Sequence, residues 1–181
     1  MTLVVLAHPY PDRSCANRAL LGALDGLADL QVRSLYDLYP DFAIDAEAER
    51  HALAAASLVV WQHPLFWYSV PALLKLWFEK VLTPGWAWGP GGDALRGKRC
   101  LWVVTTGGDE LDYSPSGIHR HPVDAFAPGV RQTAEFCGMV WQEPLIVQAA
   151  RQLDADALAA SGRRYRARLE ALAAAGQVPE A

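Results

Sequence analysis

Two segments of the chain have residue types that suit an anion and a flat aromatic ligand. HPYPDRSCAN, residues 8–17, places Ser14 and Asn17 where a helix would begin, and the free N–H groups and positive dipole end of a helix start suit a phosphate. A simple N-cap is an equally weighted interpretation of Ser14, because such caps are very common. The run Phe66-Trp67-Tyr68 either caps a core or forms the wall of a pocket for a planar aromatic group.

A third segment, TTGGDELDYSPSGIH at residues 105–119, contains a glycine pair. Gly107 and Gly108 lack side chains, so their backbone can approach a ligand closely and offer N–H donors to carbonyl oxygens. Taken singly, a glycine pair more often marks a turn, and an aromatic run more often belongs to a core. The interpretation therefore depends on whether the three segments meet.

Five apolar runs, separated by segments with helical spacing, are the elements that must position these residues. The runs are 3–8, 32–37, 58–63, 99–106 and 140–147. Several are apolar at nearly every position, which is typical of parallel strands that are covered on both faces. The alternation predicts an α/β three-layer sandwich with a five-stranded parallel sheet of order 2-1-3-4-5.

The intervening helices are predicted from apolar spacing and from capping residues. A helical stripe covers 15–27, Asp45 can cap a helix over 47–56, and Pro71 suits the first turn of the next helix. The last two helices are predicted over 122–137 and 154–174, with a start at Pro128 as the alternative for the first of them.

In an open α/β sheet, ligands bind beyond the carboxyl ends of the strands where the strand order reverses. The loops after the first, third and fourth predicted strands are the three segments described above, so they should meet at one edge. A core explanation does not predict that co-location, which favours a binding site. The motifs GxxxxGKS and GxGxxG are absent, which argues against an ATPase and a dinucleotide-binding Rossmann domain.

Composition excludes several classes of protein. The 181 residues are 52% hydrophobic, which suits one domain over 1–176 with a frayed tail at 177–181. The net charge is −4 with Lys and Arg spread along the chain, so we expect no nucleic-acid partner. We find no signal peptide or apolar stretch long enough to span a bilayer, and therefore expect a cytoplasmic protein.

Metal and disulfide chemistry are not indicated. The three cysteines are far apart and form no CxxC pair, which argues against a disulfide framework and a zinc site. His8, His63, His119 and His121 lie on different predicted segments without a carboxylate at ligand spacing, so we expect no metal.

The motifs AHPYPDRSCANRALL, DLYPDF, WQHPLFWYSVPALLKLWFEKVL, GWAWGPGG and ALRGK followed by TTGG resemble a known family. They are similar to the flavodoxin-like NAD(P)H:quinone oxidoreductases, and specifically to the flavoprotein ancillary subunits (KefF/KefG type) of glutathione-gated potassium efflux systems. The resemblance runs from residue 3 to about residue 170. It implies a flavodoxin-like fold, FMN as cofactor with FAD as the alternative, and NAD(P)H as co-substrate.

The same resemblance implies roles for individual residues in binding the flavin. The phosphate would be held by His8, Ser14, Cys15, Ala16 and Asn17; the isoalloxazine would be lined by Leu65, Phe66, Trp67 and Tyr68; and its polar edge would contact Thr105, Thr106, Gly107 and Gly108. On this interpretation the flavin ring covers the aromatic run.

Two further motifs would carry the catalytic and substrate-binding residues. YSPSGIH resembles the loop of mammalian-type quinone reductases, in which Tyr113 and His119 would stabilise negative charge on the reduced flavin and help to protonate the quinone. A solvated loop histidine is the alternative. GWAWGPGG would supply Trp86 and Trp88 to the substrate pocket across a homodimer interface, because large aromatics are hard to explain as core on such a loop and are enriched at interfaces.

The leading hypothesis is a flavin-dependent NAD(P)H dehydrogenase (quinone) with ping-pong hydride transfer from NAD(P)H to a quinone. The alternative is a regulatory ancillary subunit with secondary reductase activity, held at the inner membrane by the cytoplasmic domain of a potassium efflux antiporter. A one-electron carrier flavodoxin is weaker, because such carriers are strongly acidic and −4 is mild. The choice between NADH and NADPH and the physiological acceptor stay open.

Overall fold

The centre of the molecule is a parallel β-sheet, as expected from apolar runs that are covered on both faces. The computed structural model describes residues 1–175, so the predicted tail at 177–181 lies outside the described residues. The strands are β1 Thr2–Leu6, β2 Leu30–Ser34, β3 Leu58–Pro64, β4 Arg99–Thr105, β5 Val140–Trp141 and β6 Leu145–Val147. All pair in parallel in the order β2-β1-β3-β4-β5, with β6 also beside β4, so the predicted order 2-1-3-4-5 is confirmed.

Helices cover both faces of the sheet. They are α1 Cys15–Gly22, α2 Leu35–Leu38, α3 Ala46–Ala55, α4 Ala72–Val81, α5 Pro128–Phe136 and α6 Ala155–Ala175. Asp45 caps α3 as predicted, because its side chain accepts from the backbone N–H groups of Glu47 and Ala48. The alternative start at Pro128 is also confirmed, since a separate 3₁₀ turn, Val123–Phe126, precedes α5.

Two hydrophobic clusters hold the layers together, one on each face. Val4 and Val60 pack with α1 and with Tyr165 of α6 on one side, whereas Trp61 packs with Trp77 of α4 on the other. Full burial of an aliphatic side chain such as Val4 or Val60 contributes about 1.5–3 kcal/mol. These layers fix the strand ends from which the ligand-binding loops leave.

Two predicted strands differ from those observed. The second was predicted over 32–37 but ends at Ser34, because the next residues turn into α2 and Tyr39 N–H bonds the Leu35 carbonyl at 2.8 Å. The run 140–147 is split into β5 and β6. One extra residue stands between the pair Cys100–Trp141 and the pair Val103–Leu145, which is a bulge, and Pro144 has no N–H to continue the ladder there.

The first helix also ends earlier than predicted. α1 stops at Gly22, whereas the apolar stripe predicted a helix to residue 27. Leu24 N–H bonds Leu21 and Asp25 N–H bonds Gly22, so the chain after α1 closes into tighter turns of the i to i+3 type.

Candidate functional site

The three predicted loops meet at the carboxyl edge of the sheet and enclose a cleft of about 380 Å³. This volume lies within the range of small-molecule sites. The predicted residues that line the cleft come from all three loops: His8, Ser14, Cys15, Ala16, Asn17, Leu65, Phe66, Thr105, Thr106 and Gly107. The expected co-location is therefore observed.

One end of the cleft, called here the anion end, presents unpaired hydrogen-bond donors. Ser14 occupies the N-cap position of α1, yet its side chain makes no capping hydrogen bond, although the residue is only 6% exposed. The backbone N–H groups of Cys15, Ala16 and Asn17, in the first turn, find no acceptor among the described residues. Ser14 thus stands at the N-cap position without a capping hydrogen bond, and the first-turn N–H groups are unpaired among the described residues.

Asn17 faces inward and ties α1 to the sheet. Its Nδ2 donates to Oγ1 of Thr105 at 3.1 Å, and its side-chain and backbone oxygens each accept from Nε2 of Gln62 at 3.2 Å. Gln62 is fully buried and was missed from the sequence. The sequence signal that could have identified Gln62 is a single amide side chain directly after the apolar run 58–61.

Two arginines at the cleft were also missed. Arg13 and Arg151 line it, and neither forms an ion pair with any residue in the described range 1–175. Arg151 follows β6, so a parallel strand delivers it to the same edge as the other loops. The sequence signal that could have identified Arg151 is its position in the loop after the fifth predicted strand. Both cations raise the affinity of this edge for negative charge.

His8 lies at the end of β1 between the anion end and the aromatic run. Its Nδ1 accepts from the backbone N–H of Tyr10 at 3.0 Å, and its ring meets Phe66 edge-on at 6.2 Å between centroids. Burial lowers the pKa of His8. The neutral ring therefore carries its hydrogen on Nε2.

The aromatic run forms a tight turn at the cleft edge. Phe66 and Ser69 exchange two backbone hydrogen bonds, at 3.1 and 3.0 Å, which leaves Trp67 93% exposed and Tyr68 45% exposed. Leu65 N–H bonds the Thr105 carbonyl at 2.8 Å and ties the turn to β4. The run does not cap a core, because two of its three rings stand outside one. Trp67 and Tyr68 are also outside the set that lines the cleft.

Tyr113 and His119 lie together beside this turn. Their rings stack with centroids 4.0 Å apart at 24°, and Tyr68 Oη lies 3.3 Å from Nδ1 of His119. Burial raises the pKa of Tyr113. His119 accordingly contacts two aromatic side chains while its own side chain stays partly exposed.

Gly108 lies against His119 and Asp112, and its lack of a side chain permits this close approach. A Cβ there would stand 2.9 Å from Oδ2 of Asp112 and 3.2 Å from Nε2 of His119. No described residue accepts from the backbone N–H groups of Gly107 or Gly108, whereas Thr106 Oγ1 donates to the Gly108 carbonyl at 2.8 Å. The glycine pair thus offers free donors, and Gly108 also permits close packing of His119.

Trp86 and Trp88 pack within their own chain more than the sequence interpretation expected. Both are partly buried against the main core, and neither lines the cleft. Trp88 donates its indole N–H to the Leu82 carbonyl at 2.9 Å, and the Arg50 guanidinium lies 5.5 Å above the Trp86 ring. The expectation that these rings are hard to explain as core was wrong, because both are partly buried by packing within their own chain.

Among residues 1–175, no three His, Cys, Asp or Glu side chains are grouped so that they could hold a metal ion. Over the same range, the helices are too short or too polar to cross a bilayer.

Comparison with known proteins assigns the chain to a family. A family model described as the flavodoxin-like fold matches residues 1–169. The chain belongs to this family. The ancillary protein KefF of the glutathione-regulated potassium-efflux system of Salmonella typhimurium is 50% identical over 170 residues, which cover 93% of this chain and 95% of KefF.

Solved structures with the same fold have varied names. A chain described as a thermophilic tryptophan halogenase from Streptomycin violaceusniger matches with a TM-score of 0.88 at 35% identity, covering 92% of this chain and 97% of its own. General stress protein 14 from Treponema denticola, in complex with FMN, gives 0.87 at 34% identity over 94% and 98%. An NADPH-quinone reductase from P. pentosaceus gives 0.84 at 26% over 93% and 96%. Such variety means that the reaction must be argued from the site.

Proposed function

We propose that this member of the flavodoxin-like family is an FMN-dependent NAD(P)H:quinone oxidoreductase. The observation that carries the proposal is one cleft whose two ends differ. An uncapped helix start with free N–H donors forms one end, and the cluster of Tyr68, Tyr113 and His119 stands beside the other. FMN has the same division, with a phosphate at one end and a redox-active ring at the other.

The residues at the anion end fit the phosphate of FMN. Ser14 and the N–H groups of residues 15–17 would donate to its oxygens, and the positive end of α1 favours its charge. Arg13 and Arg151 supply the counter-charge that a phosphate monoester needs. His8, with its hydrogen on Nε2, adds a further donor on the same side.

The other end fits a planar ring with carbonyl oxygens. Leu65 and Phe66 give an apolar wall, and the free N–H groups of Gly107 and Gly108 would donate to the polar edge of the ring. Bound flavin supplies the two-electron hydride chemistry that side chains lack. Tyr113 and His119 would stabilise negative charge on that edge and provide protons to a quinone. The FMN complex of general stress protein 14 supports FMN over FAD.

The visible absorption spectrum of the purified protein tests this function. We expect flavin bands that bleach when NADPH or NADH is added without oxygen and return when menadione follows. Steady-state rates should give parallel double-reciprocal lines, because the two substrates use one place in turn. Absence of flavin after both FMN and FAD are supplied would overturn the proposal, as would intersecting lines.

A second candidate function is favoured by the 50% identity to KefF. In this role the protein would be a cytoplasmic regulatory subunit, held at the inner membrane by a potassium efflux antiporter, with the reductase activity secondary. Flavin bands that do not bleach, together with capture of the protein by the antiporter's cytoplasmic domain, would favour this role. Rapid bleaching with no capture would count against it.

We also propose a homodimer as the working form. A second apolar cavity of about 270 Å³ lies between α4 and α5, lined in part by Phe78, Leu82, Trp88 and Phe136. Phe136 is 60% exposed and packs 5.2 Å from the Trp88 ring, so apolar surface extends from the 85–92 loop. A second copy would cover it and bring Trp86 and Trp88 near the partner's cleft. Sedimentation at micromolar concentration should give a dimer, and a monomer alone would exclude it.

A further inference from the structure

The hydroxyl of Tyr68 contacts the imidazole that the proposed chemistry needs. Tyr68 Oη lies 3.3 Å from Nδ1 of His119, and the two rings meet edge-on with centroids 5.6 Å apart at 74°. Tyr113 instead stacks its ring flat on the imidazole, and its own hydroxyl has no hydrogen-bond partner among the described residues. Tyr68, and not Tyr113, is therefore the tyrosine with a hydrogen bond to His119.

An unfavourable backbone conformation holds Tyr68 in this position. Trp67 and Tyr68 both have positive φ, 48° and 62°, in the two-residue turn closed by Phe66 and Ser69. Asparagine and glycine normally occupy such turns, since other residues lose energy there. The turn directs Trp67 outward and Tyr68 back onto His119 and Phe126, whose ring centroid is 5.0 Å away. Strain of this kind is concentrated at functional sites.

The second nitrogen of His119 faces the cleft loop. Nε2 lies 3.2 Å from the point where Gly108 would carry a Cβ, and it has no hydrogen-bond partner within residues 1–175. The titratable side chains around the imidazole are Tyr68, Tyr113 and Asp112, whose Oδ2 lies 2.9 Å from the same point. The N–H groups of Gly107 and Gly108, in the same loop, have no backbone acceptor within residues 1–175.

We propose that Tyr68 is the positioning residue of His119. Its O–H donates to Nδ1, so the neutral imidazole carries its hydrogen on Nε2, the nitrogen that faces Gly108. Tyr113 fixes the plane of the ring by stacking, and Tyr68 fixes its tautomer and rotation. This inference rests on the proposed function, because it places a donor where the polar edge of the flavin would lie. Catalytic hydrogen bonds are often long in unliganded enzymes and tighten when the substrate binds.

Nitrogen NMR of the flavin-free protein tests the hydrogen bond without any turnover. The ¹⁵N shift separates a protonated ring nitrogen, a bare one and one that accepts a hydrogen bond. The five histidines allow assignment of His119 by comparison with His119→Gln. We expect Nε2 protonated and Nδ1 accepting in the wild type. Tyr68→Phe keeps the ring but removes the donor, so the Nδ1 signal should move to the bare position.

Tyr113→Phe is the matched comparison, because it removes a hydroxyl from the other ring in contact with His119. Its Nδ1 signal should stay where it is in the wild type. An Nδ1 signal that ignores Tyr68→Phe, or that follows Tyr113→Phe instead, overturns the inference. Circular dichroism and FMN titration would check that each variant is folded. The FMN Kd of Tyr68→Phe should lie within about threefold of wild type, because the aromatic rings of residues 68 and 113 remain.

Turnover then separates the inference from the proposed function. Tyr68→Phe should lower kcat with menadione about tenfold with little change in KM, the scale at which losing the orienting partner of a histidine acts in metal sites. If the wild type binds no flavin, the proposed function fails while the NMR result still decides the hydrogen bond. If the wild type turns over and the Nδ1 signal moves without loss of kcat, the positioning role is overturned and the reductase stands.

Discussion

Trp102 donates its indole N–H to Nε2 of His63 over 2.7 Å in the interior of the sheet. Nδ1 of the same imidazole lies 2.9 Å from the Pro64 carbonyl. Since Nε2 accepts, the hydrogen of the neutral ring is on Nδ1, and both nitrogens are satisfied. Burial lowers the pKa of His63 to about 4. A neutral histidine thus orders the end of β3, directly before the loop that lines the cleft.

This histidine should make stability depend on pH. In the unfolded chain it binds a proton near its ordinary pKa of about 6.5, whereas the folded protein resists protonation down to about 4, so stability is lost as the pH falls between these values. We expect the free energy of unfolding to fall by about 2 kcal/mol between pH 7 and pH 5 from this residue. Urea denaturation at both pH values measures it.

His63→Gln is the matched control for that measurement. Its amide oxygen can accept from Trp102 and its amide N–H can donate to the Pro64 carbonyl, but it does not titrate. The fall between pH 7 and pH 5 should therefore be smaller by about 2 kcal/mol in this variant. An equal fall in both proteins would mean that other groups, such as His8, cause the pH dependence.

A second prediction concerns the carboxylate of Glu49, which is fully buried. It accepts from Arg33 Nε and Tyr39 Oη at 2.6 Å each and from Trp77 Nε1 at 2.9 Å. Glu49→Ala should lower the free energy of unfolding by about 3–5 kcal/mol, because it leaves a partly buried cation and two other donors without an acceptor. Guanidinium denaturation measures the loss.

The control for Glu49 is a carboxylate in an exposed ion pair. Glu79 pairs with Lys75 on α4, and both side chains are more than half exposed. Glu79→Ala should change stability by less than about 0.5 kcal/mol. Similar effects of the two substitutions would show that the buried network contributes no more than a surface pair.

The strand order and the Asp45 cap could be predicted from sequence, because each follows from local spacing or from one residue's chemistry. The helix start at Pro128 was foreseen only as the alternative to a helix over 122–137. The meeting of the three loops followed from the strand order.

The β5–β6 bulge could not be predicted, since it depends on register against β4. Gln62 and Arg151 were missed because their importance arises from neighbours distant in the sequence. The contact of Tyr68 with His119 depends on a strained turn that no pattern indicated.

A third prediction tests the two arginines at the cleft. Arg151→Ala and Arg13→Ala should each weaken FMN binding about fivefold, since an exposed charged contact to phosphate contributes about 1 kcal/mol. Riboflavin, which has no phosphate, should bind the wild type and both variants with equal affinity. Fluorescence titration with both ligands measures the effect, and added salt should reduce it.

Arg163→Ala, on α6 and outside the cleft, is the control for the arginine variants. It should leave both the FMN and the riboflavin Kd unchanged. An equal loss of FMN and riboflavin affinity in Arg151→Ala would show that this arginine supports the fold of the site and not the phosphate.

A fourth prediction concerns Trp67, whose φ of 48° is combined with 93% exposure. Trp67→Asn should raise the free energy of unfolding by about 1 kcal/mol, because asparagine tolerates this conformation and little buried surface is lost. Leu111→Asn, at another exposed apolar residue with ordinary φ, should give no gain. Thermal denaturation of the two variants separates relief of strain from a general benefit of polar surface. If stability rises in Trp67→Asn while quinone turnover falls, the tryptophan is retained at this strained position for the site at the expense of stability.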